Sequence, residues 1–112
     1  MNNEDILNLV YKINDNLEFK VDDENNVTIM EKQDHKIQNL FRRLHFYIPE
    51  YKNTTLDKYS SYVFLQINGK NTVKEIGENL EKTFGESVYP VYERLLLFLD
   101  HIDINCNYIN KI

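Results

Sequence analysis

Apolar residues are spaced irregularly in the front half of the chain and with helical period in the back half. Ile6, Leu9, Val10 and Ile13 share one face of a short helix predicted over residues 4–14. Asn3 serves as its N-cap, with Glu4 and Asp5 in the first turn. Leu17-Glu-Phe-Lys-Val21 then alternates with period two. The polar stretch Asp22–Asn26 and the apolar Val27-Thr-Ile-Met30 follow, a strand–turn–strand pattern that predicts a hairpin. Over 36–44 the pattern is ambiguous: Ile37, Leu40, Phe41 and Leu44 have helical spacing, with Arg42 and Arg43 outside it. His45-Phe-Tyr-Ile48 reads as extended and stops at Pro49, which biases its predecessor away from helix. Tyr51–Leu56, with Thr54 and Thr55 adjacent, reads as a short strand.

Three helices are predicted behind it. Asp57 caps the first, which carries Tyr59, Tyr62, Val63 and Ile67 and ends at Asn68-Gly69. Thr72-Val-Lys-Glu75 is a capping box opening the second, with Val73, Ile76, Leu80 and Phe84 on one face and Gly85 as its stop. Ser87 is the expected cap of the third, with Pro90 in its first turn and an end near His101. On a wheel of 100° per residue, Val91, Leu95, Phe98, Leu99, Ile102, Tyr92 and Leu96 fill an arc of about 160°. A surface helix needs an apolar stripe of roughly 100°. Two readings follow: a central helix with the N-terminal segment on its back, or a helix that offers one flank to a partner.

Composition narrows the function classes. The chain has 112 residues, enough for one domain with its own core. It contains neither Ala nor Trp, so its helices carry large side chains. The net charge is −5, about −4 of it in the first fifty residues, which leaves no basic footprint for nucleic acid. The longest apolar run, Leu95–Leu99, is far shorter than the roughly 20 residues of a membrane span, so no membrane partner is expected. The start Met-Asn-Asn-Glu-Asp lacks the features of a signal peptide, and the single Cys106 has no internal disulfide partner. A cytoplasmic location is expected.

Catalytic chemistry is not visible. His35, His45, His101 and Cys106 lack ligand-like spacing, so neither a metal nor a cofactor is expected, and the chain is not expected to be an enzyme. Cys106 has no basic neighbour in sequence to activate it. Asn68-Gly69-Lys70 lacks the glycines of a phosphate loop. Arg42-Arg43, with Lys36 and His45 beside Phe41, Phe46 and Tyr47, is a local positive spot that reads as a surface turn.

From Ile48 to about Ile104 the order of landmarks resembles the PqqD-like family, the RiPP recognition elements. The resemblance lies in Ile48-Pro49, Leu56-Asp57, Asn68-Gly69, Thr72-Val-Lys-Glu-Ile76, Phe84-Gly85-Glu86, and Val91-Tyr-Glu-Arg-Leu95 to Phe98-Leu99. Phe64 stands where a Trp or aliphatic residue is usual, and Asp103–Ile109 departs from the usual closing strand entry. The resemblance implies an α+β, winged helix-turn-helix-like fold: a small N-terminal antiparallel sheet of about three strands, then a three-helix bundle. The chain is then a single domain over 1–112, with an extension over 1–16, a β-rich part over 17–56 and three helices over 57–104.

It further implies a non-catalytic adaptor. Such domains capture the leader segment of a ribosomally made precursor peptide by strand addition and present it to a modifying enzyme such as a radical SAM enzyme. Lys52, Asn53, Thr54 and Thr55 are the expected strand wall, with proline at Thr54 the expected way to abolish capture. Tyr92, Leu96 and Leu99 are the expected pocket residues, with Arg94 and Leu97 as secondary ones, and either edge of the arc can face the groove. An exposed edge strand also opens a route to a strand-paired homodimer. The alternative is a winged-helix DNA-binding regulator. Against it, Glu93, Arg94 and Asp100 leave the third helix net negative, and Lys74 and Lys82 face Glu75, Glu78 and Glu81 on the second.

Overall fold

The computed structural model describes residues 3–32 and 51–112, with side chains described for 5–31 and 53–112. The expectations for 36–44, for His45–Ile48 with Pro49, and for the Arg42-Arg43 spot lie outside the described residues. The fold is α+β, with a small antiparallel sheet and several helices. Its elements are α1 (Asn3–Leu7), β1 (Tyr11–Ile13), β2 (Glu18–Val21), β3 (Val27–Lys32), β4 (Tyr51–Thr55), α2 (Lys58–Gln66), α3 (Val73–Phe84), α4 (Val91–Asp100) and β5 (Ile109–Lys111). A 3₁₀ turn, Gly85–Val88, joins α3 to α4, and a π turn, His101–Asn105, closes α4.

The predicted hairpin is present. β2, β3 and β4 form one sheet in that order, with Phe19 opposite Ile29 and Ile29 opposite Thr54. The Asp22 carboxylate organises the turn by accepting from the backbone N–H groups of Glu24 and Asn26, each at 2.9 Å. These bonds, Asn26 first, hold its pKa below the ordinary aspartate value. Asn25 takes a left-handed conformation (φ 64°), which asparagine tolerates better than most residues.

The helix predicted over 4–14 is corrected: it stops at Leu7, and residues 11–13 are extended. A helix of that length is marginal on its own. Here β1 gains a ladder with β5, Tyr11 opposite Lys111, and buries Tyr11 to 2% exposure. The other side of this segment is held by the α2–α3 connection. Gly69 N–H donates to the Tyr11 carbonyl (3.0 Å), and Val73 N–H donates to that of Leu9 (2.9 Å). The pairing partner lies about a hundred residues away, beyond the reach of local pattern.

The helix caps largely follow the sequence. The Asp57 side chain accepts from Ser60 N–H, and the Thr72–Glu75 capping box is complete in both directions. Gly85 ends α3 at φ 63°. The Ser87 cap is corrected: its hydroxyl donates back to the Phe84 carbonyl at 2.8 Å within the 3₁₀ turn. Pro90, not Ser87, immediately precedes α4.

The core gathers Val27 and Ile29 of the sheet, Val63 and Phe64 of α2, Ile76 and Leu80 of α3, and Leu95, Leu99 and Ile102 of the α4 region. Burying such side chains stabilises the fold by about 1.5–3 kcal/mol each. Phe19 meets Phe64 edge to face, with ring centroids 4.9 Å apart.

Candidate functional site

β4 is an edge of its sheet: it pairs with β3, and among the described residues no strand pairs with its other side. Which of its amides face outward follows from the ladder. Leu56 N–H donates to the Val27 carbonyl at 2.8 Å, so Leu56 and Val27 are a hydrogen-bonded pair. Antiparallel pairs alternate, so Thr54 bonds towards Ile29, while Asn53 and Thr55 turn their backbone groups outward. The Thr28 and Thr55 hydroxyls lie 3.0 Å apart, as the closer side chains of a non-hydrogen-bonded pair require. Proline at Thr54 would therefore break the β3–β4 ladder. The residues that test the outer edge are Asn53 and Thr55. Lys52 of β4 lies opposite Glu31 of β3.

The geometry also says which helix stands beside this edge. Ser61 is buried; its hydroxyl accepts from Val27 N–H at 2.9 Å and donates to the Leu56 carbonyl at 3.3 Å, pinning α2 to β3. One turn later Phe64 meets Phe19 of β2. α2 thus crosses the inner face of the sheet from the β4 margin towards β2, leaving its first turn, with Tyr59, at that margin. On Tyr59 lie two α4 residues one helical turn apart. The Arg94 guanidinium stands 4.9 Å from the ring centroid, and the Phe98 ring is edge-on at 6.2 Å. Arg94 is fixed further by Nη1 donating to the Ser87 carbonyl at 2.7 Å. The Tyr59 hydroxyl is buried and has no hydrogen-bond partner among the described residues. Burial raises its pKa, Arg94 pulls the other way, and Asp57 raises it further.

The expected pocket residues are divided between two environments. Tyr92 lies across Gly77 of α3, so closely that a Cβ there would fall 2.3 Å from the ring. Its hydroxyl donates to the Lys74 carbonyl at 3.2 Å. Burial, then Glu78 and Glu81, raise its pKa. Leu96 and Tyr92 line a cavity of about 320 Å³ whose other wall is Ile6 and Leu7 of α1. This flank of the helix is the one with the N-terminal segment on its back. Leu99 is 0% exposed and belongs to the core, which corrects its expected place in a groove wall. Leu97 is 73% exposed, and Arg94 lies on the Tyr59 side. Tyr59 and Phe98 were not among the expected site residues. The i, i+4 spacing of Arg94 and Phe98 was the available signal; the partner ring on α2 was not readable.

Elsewhere, Tyr108 donates to the Glu31 carboxylate, and burial followed by this bond holds the phenol pKa far above its ordinary value. The Cys106 sulfur lies 3.5 Å from His101 Nε2, and burial followed by Glu31 raises the thiol pKa, so the thiol stays protonated at neutral pH. Among the described residues no three His, Cys, Asp or Glu side chains converge to hold a metal ion. Among them also no helix is long and apolar enough to cross a membrane. Compared with known proteins, the chain matches no family model, no curated protein and no solved structure.

Proposed function

We propose that this chain is a peptide-capturing adaptor with a winged-helix-like arrangement, as its resemblance to RiPP recognition elements implies. The leader of a precursor peptide adds as a further strand outside β4 and is presented to a modifying enzyme, such as a radical SAM enzyme. The observation that carries the reading is a sheet edge, β4, with no partner strand on its outer side among the described residues, followed directly by the helix turn that carries Tyr59. Asn53 and Thr55 offer backbone groups outward, and Tyr59, four residues beyond Thr55, carries Arg94 and Phe98 of α4 on its ring. Strand addition supplies backbone hydrogen bonds, and the adjacent rings supply choice of side chain. The acidic balance of the chain favours a peptide over a phosphate backbone as ligand.

The test is titration of a fluorescent leader peptide, encoded beside the gene, into wild type and Thr55→Pro. Binding at tens of micromolar or tighter is expected for wild type, with a loss of about tenfold or more on removing one outward amide. Equal affinity in a Thr55→Pro variant that melts like wild type would refute strand addition at β4.

A further inference from the structure

We propose that Arg94 sets the sequence preference of this edge: the captured peptide carries an aspartate or glutamate that pairs with the guanidinium, next to a large apolar residue that packs on Phe98. The proposal rests on the peptide-capture reading and names the ligand chemistry of the same site.

Three observations converge on it. First, Arg94 is the one arginine among the described residues, and it is held in place at two points, the Ser87 carbonyl and the face of Tyr59. A guanidinium has five N–H donors, and one fixed bond leaves the rest of its fork available for a planar carboxylate. Second, the partners the structure gives it, the Ser87 carbonyl and the Tyr59 ring, carry no formal charge. Asp57, the acid acting on Tyr59, is already used as the α2 cap, accepting from Ser60 N–H at 2.7 Å. Third, the surroundings are aromatic and only partly wet. Tyr59 and Phe98 are half-buried, and the Tyr59 hydroxyl is left without a partner among the described residues. Arg94 itself is exposed, so what a carboxylate meets here is a pre-oriented guanidinium fork able to make charge-assisted bonds. In a chain of net charge −5, a cation positioned by Ser87 and Tyr59 selects for the opposite charge.

Selection of a phage-displayed pool of random 16-residue peptides on the full chain tests this. The expected outcome is enrichment of peptides with Asp or Glu within two residues of a large apolar residue. For a selected peptide, Asp→Asn on wild-type protein is expected to weaken binding about tenfold. Arg94→Gln should weaken the parent peptide equally and leave the Asn peptide unchanged. Enrichment without acidic preference, or an Asp→Asn loss that persists undiminished in Arg94→Gln, overturns the role of Arg94 while capture at the edge stands. Absence of enrichment, or enrichment that survives Thr55→Pro in a folded variant, overturns the capture reading and this inference with it. Because the peptide-side substitution needs no protein variant, an unstable Arg94→Gln chain would not shield the proposal.

Discussion

Each flank of α4 sets an aromatic ring one turn from a second large side chain, Tyr92 with Leu96 and Phe98 with Arg94, and the fold uses the two differently. On one, Tyr92 and Leu96 are covered: the ring lies in the notch left by Gly77, and α1 supplies Ile6 and Leu7 as a second wall. On the other, Arg94 and Phe98 rest on Tyr59, a residue from the first turn of α2, and Arg94 also bonds the Ser87 carbonyl. The difference teaches that an arc wider than one core contact requires has two origins here. Part of it is packing against α1, and part is packing of Phe98 on the Tyr59 ring of α2.

Core variants set the scale of that comparison. Leu95→Ala removes a 0%-exposed side chain from beneath both flanks and is expected to cost about 2–5 kcal/mol in denaturant unfolding. Leu97→Ala, at a 73%-exposed position of the same helix, is expected to stay within about 0.5 kcal/mol. Similar costs for both would mean that the two faces are not distinguished as described.

The covered flank is broken more gently at Gly77. A Cβ there displaces the Tyr92 ring, so Gly77→Val is expected to destabilise by about 1–3 kcal/mol and to shift the aromatic resonances of Tyr92 in NMR spectra. Peptide affinity should not follow, because the open flank is built from other residues. On the sheet side, Ser61→Ala leaves the Val27 amide without its acceptor and is expected to cost about 1–3 kcal/mol by thermal unfolding.

The smallest effects are titrations. Burial, then Asp103 and Asp100, push the phenol of Tyr11 up to about 12. Its unfolded value is near 10. A pKa raised on folding gives a contribution that is complete below the unfolded value and lost as pH rises through the folded one. Stability should therefore decline between about pH 10 and 12, with phenolate absorbance as the readout. Tyr59, on the open flank, has its upward shift opposed by Arg94. Arg94→Gln should move Tyr59 ionisation to still higher pH, and a downward move would contradict the contact.

Sequence and structure agree most closely where the determinants are local. Asp57 and the Thr72–Glu75 pair act within one helical turn, and Asp22 within four residues, so their roles are readable from spacing alone. Thr54 shows where that legibility stops. The period-two pattern identifies a strand, but which amides point outward depends on the phase of the ladder, which the Leu56–Val27 bond fixes. Residues 11–13 show the same limit at longer range. Their apolar spacing suits a helix, and pairing with 109–111 decides otherwise.

The sequence by itself determined the hairpin, the three-helix order of the back half, the caps at Asp57 and Thr72 and the acidic balance, because each is set by neighbours within a few residues or by composition. The tertiary structure decided the phase of the β3–β4 ladder, which flank of α4 the N-terminal segment covers, and which ring Arg94 rests on. Those depend on contacts between residues far apart in the chain. Such contacts are chosen by the combined burial of the whole core, and local spacing carries no record of them.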